Sequence, residues 1–131
     1  MVEVVFLMIL LHIIDDFVFQ PICLSKLKQK QYWIDTCKNQ NLDYEKYQTD
    51  YISALLIHGL SWSIMIHLPL FYFFDLNDVS LMLSILINAT IHAWIDDMKA
   101  NKLKINLDID QTIHIFQIII TFFILKIQVM W

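Results

Sequence analysis

Residues 51–74 contain no Asp, Glu, Lys or Arg over 24 positions. A helix needs about 20 predominantly apolar residues to cross the hydrocarbon core of a bilayer. This one stretch therefore biases the whole chain toward a membrane fold. Residues 79–95 and 111–125 are also uncharged. The stretch 2–20 is apolar except for Glu3, His12, Asp15, Asp16 and Gln20, and Pro21 disfavours helix at the residue before it. Its start has no basic n-region and no small-residue cleavage site, which argues against a signal peptide.

Composition agrees. Hydrophobic residues make up 58% of the 131 residues and charged residues 17%, and there is one glycine, Gly59. A turn-rich β domain needs more Gly and Pro, and a soluble bundle needs more polar coat. The expectation is an all-α integral membrane bundle, a single domain over residues 1–131 with spans at about 2–20, 51–74, 79–98 and 108–131. The net charge is −4 and every basic residue is a lysine. A nucleic-acid binder shows a basic stripe, usually with arginine, so that class is set aside. Cys23 and Cys37 have no CxxC spacing, so neither a zinc knuckle nor a disulfide framework is indicated.

The links predict orientation. The stretches 21–50 and 99–107 are rich in lysine, whereas the link at 75–78 holds Asp75 and Asp78 and no lysine. With four spans the two lysine-rich links share one side, which the positive-inside rule places in the cytoplasm of the inner membrane, with both termini outside. The stretch 31–50 reads either as an interfacial amphipathic helix, with Tyr32, Trp33, Tyr44 and Tyr47 at the headgroups, or as a solvated loop.

Polar residues recur inside the spans at helical spacing. His12, Asp16 and Gln20 stand at i, i+4 and i+8. Asn88, His92, Asp96 and Lys99 form a second stripe, and Asp110, His114, Gln117 and Thr121 a third. The second span adds His58, with Ser61 a turn away. At about 1.5 Å per residue, each of the four histidines falls roughly 9–12 Å from the cytoplasmic end of its helix, with the carboxylates one turn shallower. His67 falls in the outer half. Asp15 and Asp97 are one residue off the stripes and are expected to face the interface or solvent.

A single buried histidine is more often packing than chemistry, and interhelical hydrogen bonds hold membrane bundles together. Recurrence on four helices favours a shared role. Imidazoles with carboxylates suit a divalent transition metal, Zn, Mn or Fe. The ligands would be His12, Asp16, His58, His92, Asp96 and His114, with Gln20 and Gln111 orienting them. Asp110 would serve as general base, and Lys99 would meet an anionic group.

The strings HIIDDFVFQ (12–20), LLIHGL (55–60), IHAWIDDMKA (91–100) and IDQTIHI (109–115) resemble a membrane family of bacteria and phages known as domain of unknown function 3307. Its blocks run H-x3-D-F-x2-Q, a lone H, H-x3-D-x2-K and D-Q-x2-H. His12, Asp16, Phe17 and Gln20 match the first and His58 the second. His92, Asp96 and Lys99 match the third, and Asp110, Gln111 and His114 the fourth. PICLSKLKQK (21–30) and a long 31–50 stretch depart from the pattern. The resemblance implies a membrane protein and no particular activity. A looser similarity to small membrane-bound metal-dependent hydrolases hints at chemistry.

Three functions stay open on the sequence. The first is a metal-dependent hydrolase acting on a lipid or phosphoester at the cytoplasmic leaflet. The second is a proton or divalent-cation pathway. The third is a non-catalytic scaffold or accessory subunit. The bilayer is the expected partner, with a second copy or a membrane protein as further partners.

Overall fold

The computed structural model describes residues 2–20 and 22–129, all helical or in short connections, with no strand among them. The helices are α1 (Val2–Ile14), α2 (Ile22–Leu27), α3 (Lys30–Gln40), α4 (Asp50–Phe73), α5 (Asp78–Ala100) and α6 (Leu107–Val129). A π-helical turn, Asp15–Phe19, prolongs α1, and a 3-10 turn, Tyr44–Lys46, precedes α4. The first span stops near Gln20 as expected: the π turn ends at Phe19 and Gln20 is extended. Pro21 and the final two residues of the last expected span lie outside the described residues.

Local chemistry sets the ends. Asn77 caps α5 by accepting hydrogen bonds from the Val79 and Ser80 amides. Asn106 does the same for α6 through Ile109 N at 2.9 Å. α3 ends at Asn41, whose left-handed backbone lets its N–H reach the Cys37 carbonyl. Residues 31–50, open between helix and loop on sequence, are thus helical to Gln40. Trp33 stacks on Tyr47 with centroids 5.9 Å apart and donates to the Leu27 carbonyl, so these aromatics bind the link to itself.

α1 packs on α4 and α6, and α5 packs on α4 and α6, so the four long elements close into a ring. α2 and α3 lie over α4 at one end. Gly59 lets α4 and α5 approach: a Cβ there would stand 2.5 Å from the Ala89 carbonyl oxygen and 3.3 Å from Ala93 Cβ. Close packing over small residues is the usual helix–helix contact in lipid.

The polarity is inverted relative to a soluble bundle. Leu86, Ile87, Trp94, Phe116, Phe123 and Ile124 are exposed, while His92, His114 and Asp110 are fully buried. Such a continuous apolar exterior needs an apolar surrounding. Three helical stretches, Tyr44–Phe73, Asp78–Ala100 and Leu107–Val129, are long and apolar enough to cross a membrane. The bundle interior divides into two layers. Val4, Met8, Trp62, Ile66, Leu70, Ile118, Phe122 and Leu125 form an apolar core. Histidines and carboxylates fill the end nearer α2.

Candidate metal centre

Each long element delivers one histidine to the polar layer, because His12, His58, His92 and His114 sit at equivalent depths on inward faces. All four are at most 2% exposed. The His92 and His114 rings stack with centroids 4.0 Å apart and planes 28° apart. Trp62 also stacks on His92, at 4.3 Å and 22°, and lies 5.5 Å from His114.

The carboxylates face these rings. Asp16 Oδ1 is 3.2 Å from His58 Nε2 and 4.0 Å from His92 Nε2. Asp96 Oδ1 is 3.8 Å from His92 Nε2 and 3.5 Å from His114 Nε2. Asp110 Oδ1 is 3.4 Å from His114 Nε2. Two triplets, Asp16–His58–His92 and His92–Asp96–His114, bring their ligand atoms within 4.8 Å of one another. His92 belongs to both and faces both carboxylates with the same atom, Nε2.

Of the six expected ligands, five meet in these triplets. His12 stands beside them: its Nδ1 accepts a hydrogen bond from Trp62 Nε1 at 2.6 Å and lies 3.7 Å from Asp16. Gln111 donates to Asp16 Oδ2 at 3.2 Å and to Asp110 Oδ2 at 3.1 Å, tying two carboxylates together. Gln20 accepts from Lys28 at 3.3 Å. Lys99 Nζ contacts Asp110 Oδ2 at 2.5 Å, so it is paired inside the protein.

Asp15 corrects the sequence reading. It is 2% exposed, accepts from Ser61 Oγ at 2.8 Å and approaches His58 Nδ1 at 3.8 Å. In an α-helix adjacent residues point 100° apart, which would split Asp15 from Asp16. The chain instead turns with i→i+5 geometry at Asp15–Phe19, and both carboxylates end in the interior. Asp97 stays at the edge, paired with Lys102 at 2.8 Å.

Lys28 carries no signal in the sequence, yet it is 5% exposed and its Nζ lies 2.5 Å from Asp96 Oδ2. Asn101 holds the backbone around it, donating to the Lys28 carbonyl at 3.0 Å and accepting from the Lys30 amide at 2.7 Å. Asp96 and Asp110 therefore share one arrangement: Oδ2 is capped by a lysine and Oδ1 faces the histidines.

The polar bonding of the layer is incomplete. Both ring nitrogens of His92 and of His114, together with Asp16 Oδ1, Asp110 Oδ1 and Asp15 Oδ2, are buried without a hydrogen-bond partner. Buried polar groups are normally satisfied, and each exception needs a reason. A tetrahedral ion with ligands at about 2.0–2.2 Å sets neighbouring ligand atoms about 3.3–3.6 Å apart. Within each triplet the imidazole–carboxylate spacings of 3.2–4.0 Å lie near that range, while the two triplets do not merge into one group of five at 4.8 Å. Four carboxylates, those of Asp15, Asp16, Asp96 and Asp110, face two ammonium groups, those of Lys28 and Lys99. The carboxylates outnumber the ammonium groups by two. The residues of each triplet fit a divalent ion in atom type and spacing.

The chain matches no family model, and neither a curated protein nor a solved structure matches it.

Proposed function

We propose that the chain is an integral membrane protein holding one divalent transition-metal ion between α1, α4, α5 and α6, and that it is a metal-dependent hydrolase. One observation carries this reading: the fully buried, stacked rings of His92 and His114 have four unpartnered nitrogens beside unpartnered carboxylate oxygens. Unpaired polar groups within a bilayer cost several kcal/mol each, about 2–7. A cation bound at the two Nε2 atoms removes that cost at one nitrogen of each ring.

The 13-residue α1 and the 5-residue π turn together form the fourth span. At about 1.5 Å per residue they reach roughly 27 Å, close to the hydrocarbon thickness. The lysine-rich links flank the polar layer, so the positive-inside rule sets that layer at the cytoplasmic leaflet. The ordered His, Asp and Gln blocks support kinship with the domain of unknown function 3307 family.

Either triplet, Asp16–His58–His92 or His92–Asp96–His114, would hold the ion, with the carboxylate and histidine of the other triplet beside it. Both triplets share His92, and its Nε2 faces both carboxylates, which supports one ion over two. A Zn, Mn or Fe ion bound there lowers the pKa of water and polarises a substrate oxygen. Asp110 offers its free Oδ1 as the base, with Lys99 and Gln111 fixing its other oxygen. Lys28 and Gln111 orient Asp96 and Asp16 in the same way.

A second reading, a proton or cation pathway, draws on polar contacts that run beyond the cluster. Gln117 and Thr121 donate to Asn88 Oδ1 at 2.9 and 3.0 Å, and His67 Nε2 contacts Ser84 Oγ at 2.8 Å. Reconstituted vesicles separate the two. A hydrolase gives metal-dependent ester hydrolysis that the His92→Ala variant lacks, and no proton or cation flux. Flux without hydrolysis contradicts the enzyme reading.

A further inference from the structure

A cavity of about 350 Å³ opens onto the carboxylates, with Asp16 and Asp96 at its floor and Gln20, Ser25, Lys28 and Lys99 on its walls. The walls bring mostly donors and the floor brings acceptors. Lys28 spends two contacts on Asp96 and Gln20, and an ammonium has three donors, so one remains. Among the described residues Lys99 contacts the side chain of Asp110 alone, leaving two. The Asn101 clamp on the Lys28 carbonyl and the Lys30 amide fixes where Lys28 enters.

A small cavity with two ammonium groups selects an anion of compact, multidentate form. Phosphate provides that: lysine meets it as a point charge with several oxygens in reach. The floor alone would repel it, since Asp16 and Asp96 are carboxylates. We infer that this cavity binds the phosphate group of a phosphoester, and only after a divalent cation has been taken up by the floor. The inference rests on the metal reading above and names the substrate class for the same site. Phosphate from a lipid and phosphate from a soluble ester share this chemistry.

The test uses full-length protein loaded with Mn and freed of unbound ion, with bound Mn measured on every sample. One arm adds inorganic phosphate to protein in detergent. The other places the protein in nanodiscs of phosphatidylcholine containing phosphatidic acid. The readout is 31P relaxation per bound Mn. Faster relaxation of inorganic phosphate alone identifies a soluble ester. Faster relaxation of phosphatidic acid over phosphatidylcholine identifies a lipid. K99Q is expected to weaken phosphate binding about tenfold or more, the scale of a charged hydrogen bond, while K99R restores it. Full Mn content without faster relaxation in either arm overturns the phosphate site and leaves the metal reading standing. Failure to take up Mn overturns both. Equal phosphate affinity in K99Q and wild type overturns the lysine assignment.

Discussion

His92 on α5 and His114 on α6 stack with centroids 4.0 Å apart, and no nitrogen of either ring has a hydrogen-bond partner. Packing alone does not account for this pair, because apolar residues of similar volume would fill the same space without the desolvation cost. The proposed cation would take one nitrogen of each ring. Chelation is therefore expected to loosen the bundle. At free ion 100- to 1,000-fold above its Kd, the bound state gains about 3–4 kcal/mol. Thermal unfolding in detergent should shift downward on adding a chelator and recover with Zn, Mn or Fe. An unchanged midpoint would count against the cation.

Lys28 and Asp96 form the second dependency. Removing one partner of a buried ion pair leaves a bare charge and costs about 3–5 kcal/mol. Lys28→Met should show a loss of that size in metal-free protein. The loss should be smaller in metal-loaded protein, where the ion answers the Asp96 charge. Denaturant titrations with and without chelator measure the difference. Equal effects under both conditions would mean that Asp96 and the ion do not communicate.

Gly59 tests the helix contact that brings His58 to His92. A methyl group at this position meets the Ala89 carbonyl oxygen at 2.5 Å, and backbone cannot move aside as a flexible side chain would. Gly59→Ala is expected to destabilise the bundle by about 1–3 kcal/mol and to lower metal occupancy with it. Unfolding and metal content measured on one preparation check both. A variant as stable as wild type would place α4 and α5 further apart than described here.

Much of the architecture is legible in the sequence because hydropathy and helical spacing act locally. The uncharged runs locate α4, α5 and α6 to within a few residues, and the i, i+4 stripes place His92 with Asp96 and Asp110 with His114. Three features escape that logic. Asp15 breaks the stripe because the π turn changes the angle per residue. Lys28 lies in a polar link without periodicity, and its contact with Asp96 spans 68 residues. Trp62 reads as one more apolar residue, while its indole N–H settles His12 Nδ1 and its ring backs His92. That bond also explains why His12 stands outside the two triplets. Its stripe position was readable, but its partner on α4 was not.

The central claim is the ion itself, and elemental analysis of detergent-purified full-length protein, freed of loosely bound metal, tests it most directly. About one Zn, Mn or Fe per chain is expected, lost in His92→Ala, because both ligand triplets include His92. Protein that folds and unfolds as described yet carries no stoichiometric transition metal, as isolated or after reloading, would contradict it.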